Sequence, residues 1–275
     1  MDFLKLGGRN IVVMGVANRR SVAWAVAQCL REAGANVIYT FRDAALLEKN
    51  RKLIGKDANA LLCDVESEED MEALADRVSE FAPVVHGVVH SIAFANFSEG
   101  LKPFHATLRK DFLQAVSISC FSLLDVCNRL KPLFAPDASI VTMSISTTRM
   151  ASENYGYMGP IKAALDSSVA FLAKSLSKEV SPEIRVNAVG ASLLKTSASA
   201  GIPGYIDAYL YAEKIIPRRR ALETEEPAQV LAFLLSPRSS GINAQTIIVD
   251  AGMSINYFDG NVIRNITAPD NIHNK

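Results

Sequence analysis

Apolar runs of strand length alternate with amphipathic stretches of helix length along this 275-residue chain. Such runs, apolar on both sides, are typical of a parallel sheet that helices cover on both faces. The pattern therefore predicts an α/β fold with a doubly wound, seven-stranded parallel sheet. The predicted strands are 10–14, 36–41, 58–63, 84–90, 138–143, 184–189 and 245–249, and the predicted helices are 21–33, 43–54, 67–81, 108–131, 156–180 and 225–235.

No linker-like stretch divides the chain, whose length suits one large domain. We predict a single Rossmann-type domain over 1–256. Residues 190–224 break the strand–helix rhythm with a long polar stretch, and loops of this length are usually functional lids or disordered. Its position at the sheet edge favours a substrate lid over about 191–216. The C-terminal extension, 257–275, shows little apolar periodicity, so we expect a frayed or partner-dependent segment.

The charge balance argues against a nucleic-acid or membrane partner. Lys plus Arg and Asp plus Glu each number 29, so a small molecule is the expected partner. The N-terminus lacks the pattern of a secretory signal, and the apolar runs are too short to span a membrane. We expect a cytoplasmic protein. The four cysteines show no CxxC or CxxH spacing, which favours buried thiols and no metal site.

Ligands of doubly wound sheets bind beyond the carboxyl ends of the strands. Gly15 follows the first predicted strand and precedes a helix. A glycine turn before a helix N-terminus suits a pyrophosphate, and Ser21 could add a hydroxyl donor. The spacing departs from G-x-G-x-x-G, however. The alternative is an ordinary strand-to-helix turn in which Ser21 caps the helix.

Two charged residues follow the second and third predicted strands. Arg42 lies where an adenosine ribose would reach, so it could hold a 2′-phosphate, although the neighbouring Asp43 would repel one. The alternative is a solvated charge pair at a helix start. Asp64 could accept a hydrogen bond from an adenine amino group or cap the helix that starts near Ser67.

The segment 154–162 contains Tyr155 and Lys162, which would lie two turns apart on one face of a helix starting near residue 156. A phenol beside an ammonium can stabilise a developing oxyanion. A Tyr and a Lys at this spacing also occur by chance in many helices, so the pair alone does not establish a catalytic site.

Taken together, these motifs resemble the enoyl-acyl carrier protein reductases of the short-chain dehydrogenase/reductase superfamily, from about Leu6 to Ser254. Tyr155 and Lys162 match the Tyr-x6-Lys of this family, whereas ordinary short-chain reductases use Tyr-x3-Lys and this chain has Met158 at that position. The resemblance is carried by the segments 8–24, 63–65, 90–96, 154–162, 185–188 and 249–252.

The resemblance implies NAD(P)H-dependent reduction of a trans-2-enoyl thioester, linked to acyl carrier protein, in fatty-acid or related acyl-chain synthesis by a homotetramer. Tyr155 would stabilise the enolate oxygen and Lys162 would hold the nicotinamide ribose, with no metal required. Ala95 matches a substrate-contact position, and Arg42 falls at the adenosine ribose. The remaining residues expected to contact NADH or NADPH are Gly15, Ser21, Val22, Asp64, Val65, Ser91, Ile92, Leu194 and Thr196.

Departures from the family pattern lie on the substrate side. Ile145 stands where the family commonly carries a second tyrosine, Ser192-Leu193 replaces a Gly-Pro, and Pro160 lies close before the catalytic lysine. The proline would be tolerated or would kink the helix. The alternatives to an enoyl-thioester reductase are therefore a short-chain reductase of a carbonyl or enone in specialised metabolism, and a nucleotide-binding paralogue without turnover.

Overall fold

A seven-stranded parallel sheet with helices on both faces forms the core of the computed structural model, which describes residues 3–152 and 155–267. The strand order is β3-β2-β1-β4-β5-β6-β7, so the chain reverses its direction of travel across the sheet between β1 and β4. The predicted fold class is confirmed. The strands are β1 (Asn10–Met14), β2 (Asn36–Phe41), β3 (Ala60–Leu62), β4 (Val85–His90), β5 (Phe134–Ile145), β6 (Arg185–Ala191) and β7 (Thr246–Val249).

Helices connect successive strands and extend beyond the last strand. They are α1 (Val22–Glu32), α2 (Ala44–Ile54), α3 (Glu68–Glu72), α4 (Leu74–Ser79), α5 (Arg109–Val116), α6 (Ser122–Leu130), α7 (Met158–Glu179), α8 (Ser197–Ala200), α9 (Tyr205–Ile215), α10 (Glu225–Leu235) and α11 (Gly260–Thr267).

Alternate side chains of each strand pack on opposite faces of the sheet. In β1, Ile11 and Val13 join a core with α1 and α10, whereas Val12 and Met14 join a second core with α6 and α7. Because successive side chains of a strand point to opposite faces, a strand between two helical layers must be apolar throughout. This requirement explains the uninterrupted apolar runs of the sequence.

The helical regions differ from the predictions in four places. The predicted helix 67–81 is divided into α3 and α4, and 108–131 is interrupted by a π-helical turn, Ser117–Phe121. The stretch 190–224 contains the short helix α8 and the longer helix α9, so it is partly helical rather than an irregular loop throughout. The extension contains α11, none of whose residues is buried. Residues 268–275, which include Asn271 and Asn274, lie outside the described residues.

The carboxyl ends of β1 and β4 approach each other at Gly15. The Gly15 backbone has a φ of +100°, and a Cβ atom added there would lie 2.1 Å from the Ser91 carbonyl oxygen. The Ser91 amide also donates to the Met14 carbonyl at 3.2 Å. Only glycine fits this contact, which lies where the order of the strands reverses and where ligands of such sheets bind.

We expect Gly15→Ala to lower the free energy of unfolding by about 2–4 kcal/mol, because it adds a steric clash to an unfavourable positive φ. Gly55→Ala is the matched control, since Gly55 has a φ of +99° with nothing within 4 Å of an added Cβ. In the control, the free energy of unfolding should fall by only about 1 kcal/mol. Urea denaturation measures both variants, and equal losses would contradict the proposed importance of the Gly15–Ser91 contact.

Candidate functional site

The turn after β1 leads into α1 at Ser21, whose side chain makes no capping hydrogen bond with a described residue. Ser21 occupies the N-cap position, but its hydroxyl donates to the Asn18 carbonyl at 2.6 Å instead of accepting from the helix. The interpretation of Ser21 as a capping side chain is therefore wrong. Val22 is buried beneath the turn. The first amides of α1 lie at the positive end of the helix dipole, an arrangement that suits a phosphate group.

The same turn contacts the segment that follows β6. The Asn18 side-chain amide donates to the Ser197 hydroxyl at 2.5 Å. Thr196 caps α8, because its hydroxyl accepts from the Ser199 amide at 3.1 Å while the Ser199 hydroxyl accepts from the Thr196 amide at 2.9 Å. Thr196 thus lies beside the phosphate-sized turn, as a cofactor-contact residue would require.

Arg42 and Asp43 form an exposed ion pair at the end of β2. The Arg42 Nη2 atom lies 2.9 Å from the Asp43 carboxylate, and the Arg42 side chain is 66% exposed. Asp43 also caps α2 by accepting from the Leu46 amide at 2.8 Å. The hydrogen bond from the Leu46 amide lowers the pKa of Asp43 most, and the Arg42 guanidinium lowers it further. An open cavity of about 470 Å³ adjoins the pair, so an adenosine ribose has room here.

Asp64 lies just beyond β3, where it orders the local backbone. Its carboxylate accepts from the Glu66 amide at 3.0 Å, whereas Ser67 is the residue that caps α3. The alternative role of Asp64 as the helix cap is therefore wrong. The Asp64 amide donates to Asp70 at 2.9 Å. Val65 is half-buried and packs against the core, so it could form one wall for an adenine ring.

The segment after β4 is fastened to the π-helical turn. Ser119, which is fully buried, accepts from the Phe94 amide at 2.9 Å and donates to the Phe94 carbonyl at 3.2 Å. Ile92 and Ala95 flank this clamp and pack against the core. Ser91 is half-buried beside Gly15. The clamp therefore fixes the path of the backbone that carries the predicted cofactor and substrate contacts.

Tyr155 lies in the turn before α7, which begins at Met158, two residues later than the predicted start near residue 156. Its neighbour Gly156 has a φ of +51°. Burial raises the pKa of the Tyr155 phenol above its usual range, and the nearby Tyr205 makes a smaller contribution in the same direction. The phenol is therefore protonated at neutral pH and can donate a hydrogen bond. Asn154, which belongs to the same motif, lies outside the described residues.

Lys162 lies in the second turn of α7 and is 4% exposed. Its ammonium donates to the Met143 carbonyl of β5 at 2.7 Å. Burial lowers the pKa of Lys162 to about 8, although Asp166 opposes this shift. The ammonium is thus charged at neutral pH and is held at the carboxyl end of the sheet by a strand carbonyl.

Pro160 is tolerated without breaking the helix. It is the third residue of α7, where a backbone N–H has no intrahelical acceptor in any case. The helix continues without interruption to Glu179. The proline therefore leaves the helical turn that carries Lys162 intact.

The segment after β6 has a new route in place of the missing Gly-Pro. The Ser192 amide donates to the Val249 carbonyl at 3.3 Å. Leu193 packs against a small core around α9, and Leu194 pairs with Leu222. Ile145, at the end of β5, is aligned with Ala191 of β6 and is half-buried. An apolar side chain therefore occupies the position of the second tyrosine of the family.

Among the residues that the structure describes, three serine hydroxyls at this edge are buried and have no hydrogen-bond partner. They belong to Ser144, Ser146 and Ser192, which lie at the carboxyl ends of β5 and β6. Buried polar atoms normally have partners, so these hydroxyls point to a polar ligand. They fit a dinucleotide whose nicotinamide half lies at this edge.

The structure thus gathers most of the predicted site residues along one edge of the sheet. Sequence reasoning missed the contact between Asn18 and Ser197, the Ser119 clamp, Ser146 and Tyr205. These residues contact partners up to 179 positions away in the sequence, and no local pattern marks them.

His90 is a further buried polar residue of this region. Its ring nitrogens lie 3.0 Å from the Thr142 hydroxyl and 2.8 Å from the Ser122 hydroxyl, and burial lowers its pKa to about 3.

Comparisons with known proteins agree with this geometry. The family model described as "Enoyl-(Acyl carrier protein) reductase" matches residues 15–254. The enoyl-[acyl-carrier-protein] reductase [NADH] of Bacillus subtilis is 39% identical and covers 93% of this chain and 99% of its own length. The corresponding [NADPH] enzyme of Staphylococcus aureus is 34% identical, with coverage of 90% and 98%.

A solved structure is similar in fold as well as in sequence. The Bacillus cereus enoyl-acyl carrier protein reductase, crystallised with NADP+ and indole naphthyridinone, has a TM-score of 0.85 and 35% identity over 91% of this chain and 98% of that one. Within the described ranges, no helix has the length and apolar character needed to cross a membrane, and no three His, Cys, Asp or Glu residues cluster as metal ligands would.

We expect kcat/KM to fall above about pH 8, because the Lys162 ammonium loses its proton there. Stability should change in the opposite direction. Between about pH 8 and the ordinary lysine pKa of 10.5, the folded protein binds fewer protons than the unfolded chain, so the free energy of unfolding rises with pH. A pH–rate profile and urea denaturation at several pH values measure the two effects.

Lys162→Arg provides the control for this pH dependence. A guanidinium keeps its charge throughout this range, so kcat/KM of the variant should no longer fall near pH 8, whatever its overall activity. If kcat/KM of Lys162→Arg still falls near pH 8, the titration belongs to another group.

We expect Asp43→Asn to raise the affinity for NADPH relative to NADH by roughly five- to tenfold, because it frees the Arg42 guanidinium for a 2′-phosphate. Asparagine retains the N-cap of α2. Arg42→Ala is the opposing variant and should lower NADPH affinity alone. Titration by cofactor fluorescence gives both dissociation constants, and an unchanged ratio in both variants would exclude Arg42 from the ribose site.

Proposed function

The chain belongs to the enoyl-(acyl carrier protein) reductase family, and from this membership we propose how its own residues perform the reaction. The protein is an NAD(P)H-dependent oxidoreductase that reduces an enoyl thioester linked to acyl carrier protein in fatty-acid biosynthesis. One observation carries the assignment of roles. The protonated phenol of Tyr155 comes from the turn that leads into α7, and the buried ammonium of Lys162 comes from the second turn of that helix, where it is held by the Met143 carbonyl of β5.

Tyr155 stabilises the negative charge that develops on the thioester oxygen. Because its pKa is raised, the phenol keeps its proton and donates a hydrogen bond to the enolate oxygen. The surrounding apolar packing strengthens this interaction, since charge is poorly screened in a site from which water is excluded. Tyr155 therefore acts mainly on the transition state, which is where a catalytic interaction is most effective.

Lys162 supplies a fixed positive charge and positions the cofactor. Its ammonium has three donors, of which one is directed to the Met143 carbonyl. The remaining donors are suited to ribose hydroxyls, and the charge adds to the field around the enolate. Because the helix and the strand carbonyl both hold the side chain, little reorganisation is needed when the substrate reacts.

The cofactor is held along the strand ends. Gly15, Ser21 and Val22 would hold the pyrophosphate at the start of α1, where the amides face the ligand edge. Arg42, Asp64 and Val65 would surround the adenosine, while Ser91, Ile92, Leu194 and Thr196 would contact the nicotinamide half. The partnerless hydroxyls of Ser144, Ser146 and Ser192 support this placement.

The bound nicotinamide would supply hydride to C3 of the trans-2-enoyl group, after which C2 takes up a proton. Ala95 and Ile145 would line the acyl chain. Since Ile145 has no hydroxyl, Tyr155 would be the principal donor to the thioester oxygen. The Phe94–Ser119 clamp supports this role, because it fixes the backbone next to Ala95.

The assembly, location and domain boundaries are part of the same proposal. We propose one reductase domain over 1–256, with a substrate lid at about 191–216 and an extension at 257–275. A homotetramer is supported by the large apolar side chains that α7 and the π-helical turn expose, Phe171 at 77% and Phe121 at 55%. A cytoplasmic location accords with the balanced charge of the sequence.

We expect the purified protein to oxidise NADH or NADPH when a crotonyl thioester is added, and Tyr155→Phe to abolish this turnover. Loss of an oxyanion donor typically lowers kcat by about 10²–10³-fold. Absorbance of the reduced cofactor at successive substrate concentrations gives the rates. Assays with keto thioesters and simple enones separate this reaction from that of a carbonyl or enone reductase.

Tyr157→Phe is the matched control, two residues away. The Tyr157 phenol donates to the Asn96 carbonyl at 3.0 Å and packs against Phe97 and Phe112. Its loss should cost about 1 kcal/mol of stability while turnover stays within a few-fold. Cofactor binding without oxidation of any of these substrates would instead identify a non-catalytic paralogue.

A further inference from the structure

The phenol of Tyr205, the first residue of α9, is hydrogen-bonded to both polar groups of Leu194. The Leu194 amide donates to the Tyr205 hydroxyl at 2.8 Å, and this hydroxyl donates to the Leu194 carbonyl at 2.9 Å. The Ser199 hydroxyl donates to the same carbonyl at 2.8 Å. A lid side chain thus closes onto the backbone immediately beyond β6.

These bonds leave Leu194 without hydrogen-bonding capacity for a ligand. A backbone amide has one proton to donate, and a carbonyl oxygen has two lone pairs to accept with. Tyr205 takes the amide proton, and the carbonyl oxygen already accepts from the Tyr205 and Ser199 hydroxyls and from the Thr196 amide at 3.0 Å. Any ligand that uses the Leu194 amide must therefore first displace the Tyr205 hydroxyl.

The ligand edge at Leu194 suits a carboxamide. A primary carboxamide carries an acceptor oxygen and a donor NH2 group on the same carbon, which complements the amide and carbonyl of a single residue. The nicotinamide ring bears such a group, and the partnerless serines mark the same edge for the nicotinamide half. Resting on the proposed function, we propose that the Tyr205 hydroxyl competes with the nicotinamide carboxamide for Leu194 and thereby sets the affinity for the cofactor.

The surroundings of Tyr205 are consistent with a side chain that can be displaced. Gly204, which precedes it, has a φ of +69°, and Pro203 comes before that, so α9 begins directly after a sharp turn. Tyr205 is half-buried and packs on the small lid core rather than on the main sheet. It also lies close enough to Tyr155 to contribute to the raised pKa of that phenol. Displacement of Tyr205 would therefore occur next to the catalytic group.

Tyr205→Phe tests the competition, because it removes the hydroxyl and keeps the ring. We expect the Kd for NAD+ or NADP+ to fall about five- to tenfold, since the carboxamide no longer has to break hydrogen bonds that Tyr205 makes. The Kd for ADP-ribose or 2′-phospho-ADP-ribose, which share the adenosine half but lack nicotinamide, should stay the same. Calorimetric titration measures each ligand with both proteins.

Tyr211→Phe is the control on the same helix, since its side chain is 51% exposed, and we expect no change with any ligand. The competition is overturned if Tyr205→Phe leaves the NAD(P)+ affinity unchanged or weakens it, or if it alters both ligand classes equally. Wild-type protein that binds neither class would instead overturn the proposed function.

A second measurement needs no substitution and so does not depend on how the variant folds. With ¹³C-labelled tyrosine, the Tyr205 Cζ resonance should shift when NAD(P)+ binds and should stay in place when the matching ADP-ribose binds. A Tyr205 resonance that responds to neither ligand would show that its hydroxyl keeps its bonds to Leu194, and one that responds equally to both would show that nicotinamide is not what displaces it; either result overturns the competition.

Discussion

The close approach of β1 and β4 at Gly15 and Ser91 is the constraint on which the site depends. The contact lies at the reversal of the strand order, so the turn toward α1 and the segment toward Ala95 begin from the same point. A side chain at residue 15 would separate the two strand ends. Because the pyrophosphate and the nicotinamide half would lie on either side of this point, the glycine determines the spacing between two halves of one ligand site.

Much of this arrangement could be predicted from the sequence, because it follows from strand periodicity. Strands covered on both faces must be apolar throughout, and the order of helices and strands then sets the ligand edge. The π-helical turn at 117–121 could not be predicted, since its residues continue the apolar spacing of the flanking helices. The Tyr205–Leu194 contact was equally inaccessible, because it depends on how α8 and α9 fold between the two residues.

Motif spacing predicted which chemistry to seek but not the local backbone. Tyr155 and Lys162 were expected on one helical face, whereas Tyr155 lies in the preceding turn and Lys162 inside α7. A turn and a helix can orient two side chains independently, so their spacing need not follow a helical repeat. Spacing of the Tyr-x6-Lys kind is therefore best interpreted as a signature of the turn–helix junction, and Pro160 is compatible with it because it lies in the first turn.

The free-energy cost of Lys162 bears on whether this chain is an enzyme. Burial lowers its pKa from 10.5 to about 8, which corresponds to roughly 3 kcal/mol of unfavourable free energy for the charged form. A methionine or leucine there would pack without that penalty. Ser144, Ser146 and Ser192 add further cost, since buried hydroxyls without partners destabilise a fold. A scaffold that only had to fold would gain stability by losing all four groups. Their presence together favours the proposed reductase, in which Tyr155 and Lys162 would stabilise charge and the apolar Ile145 would change the shape of the acyl site.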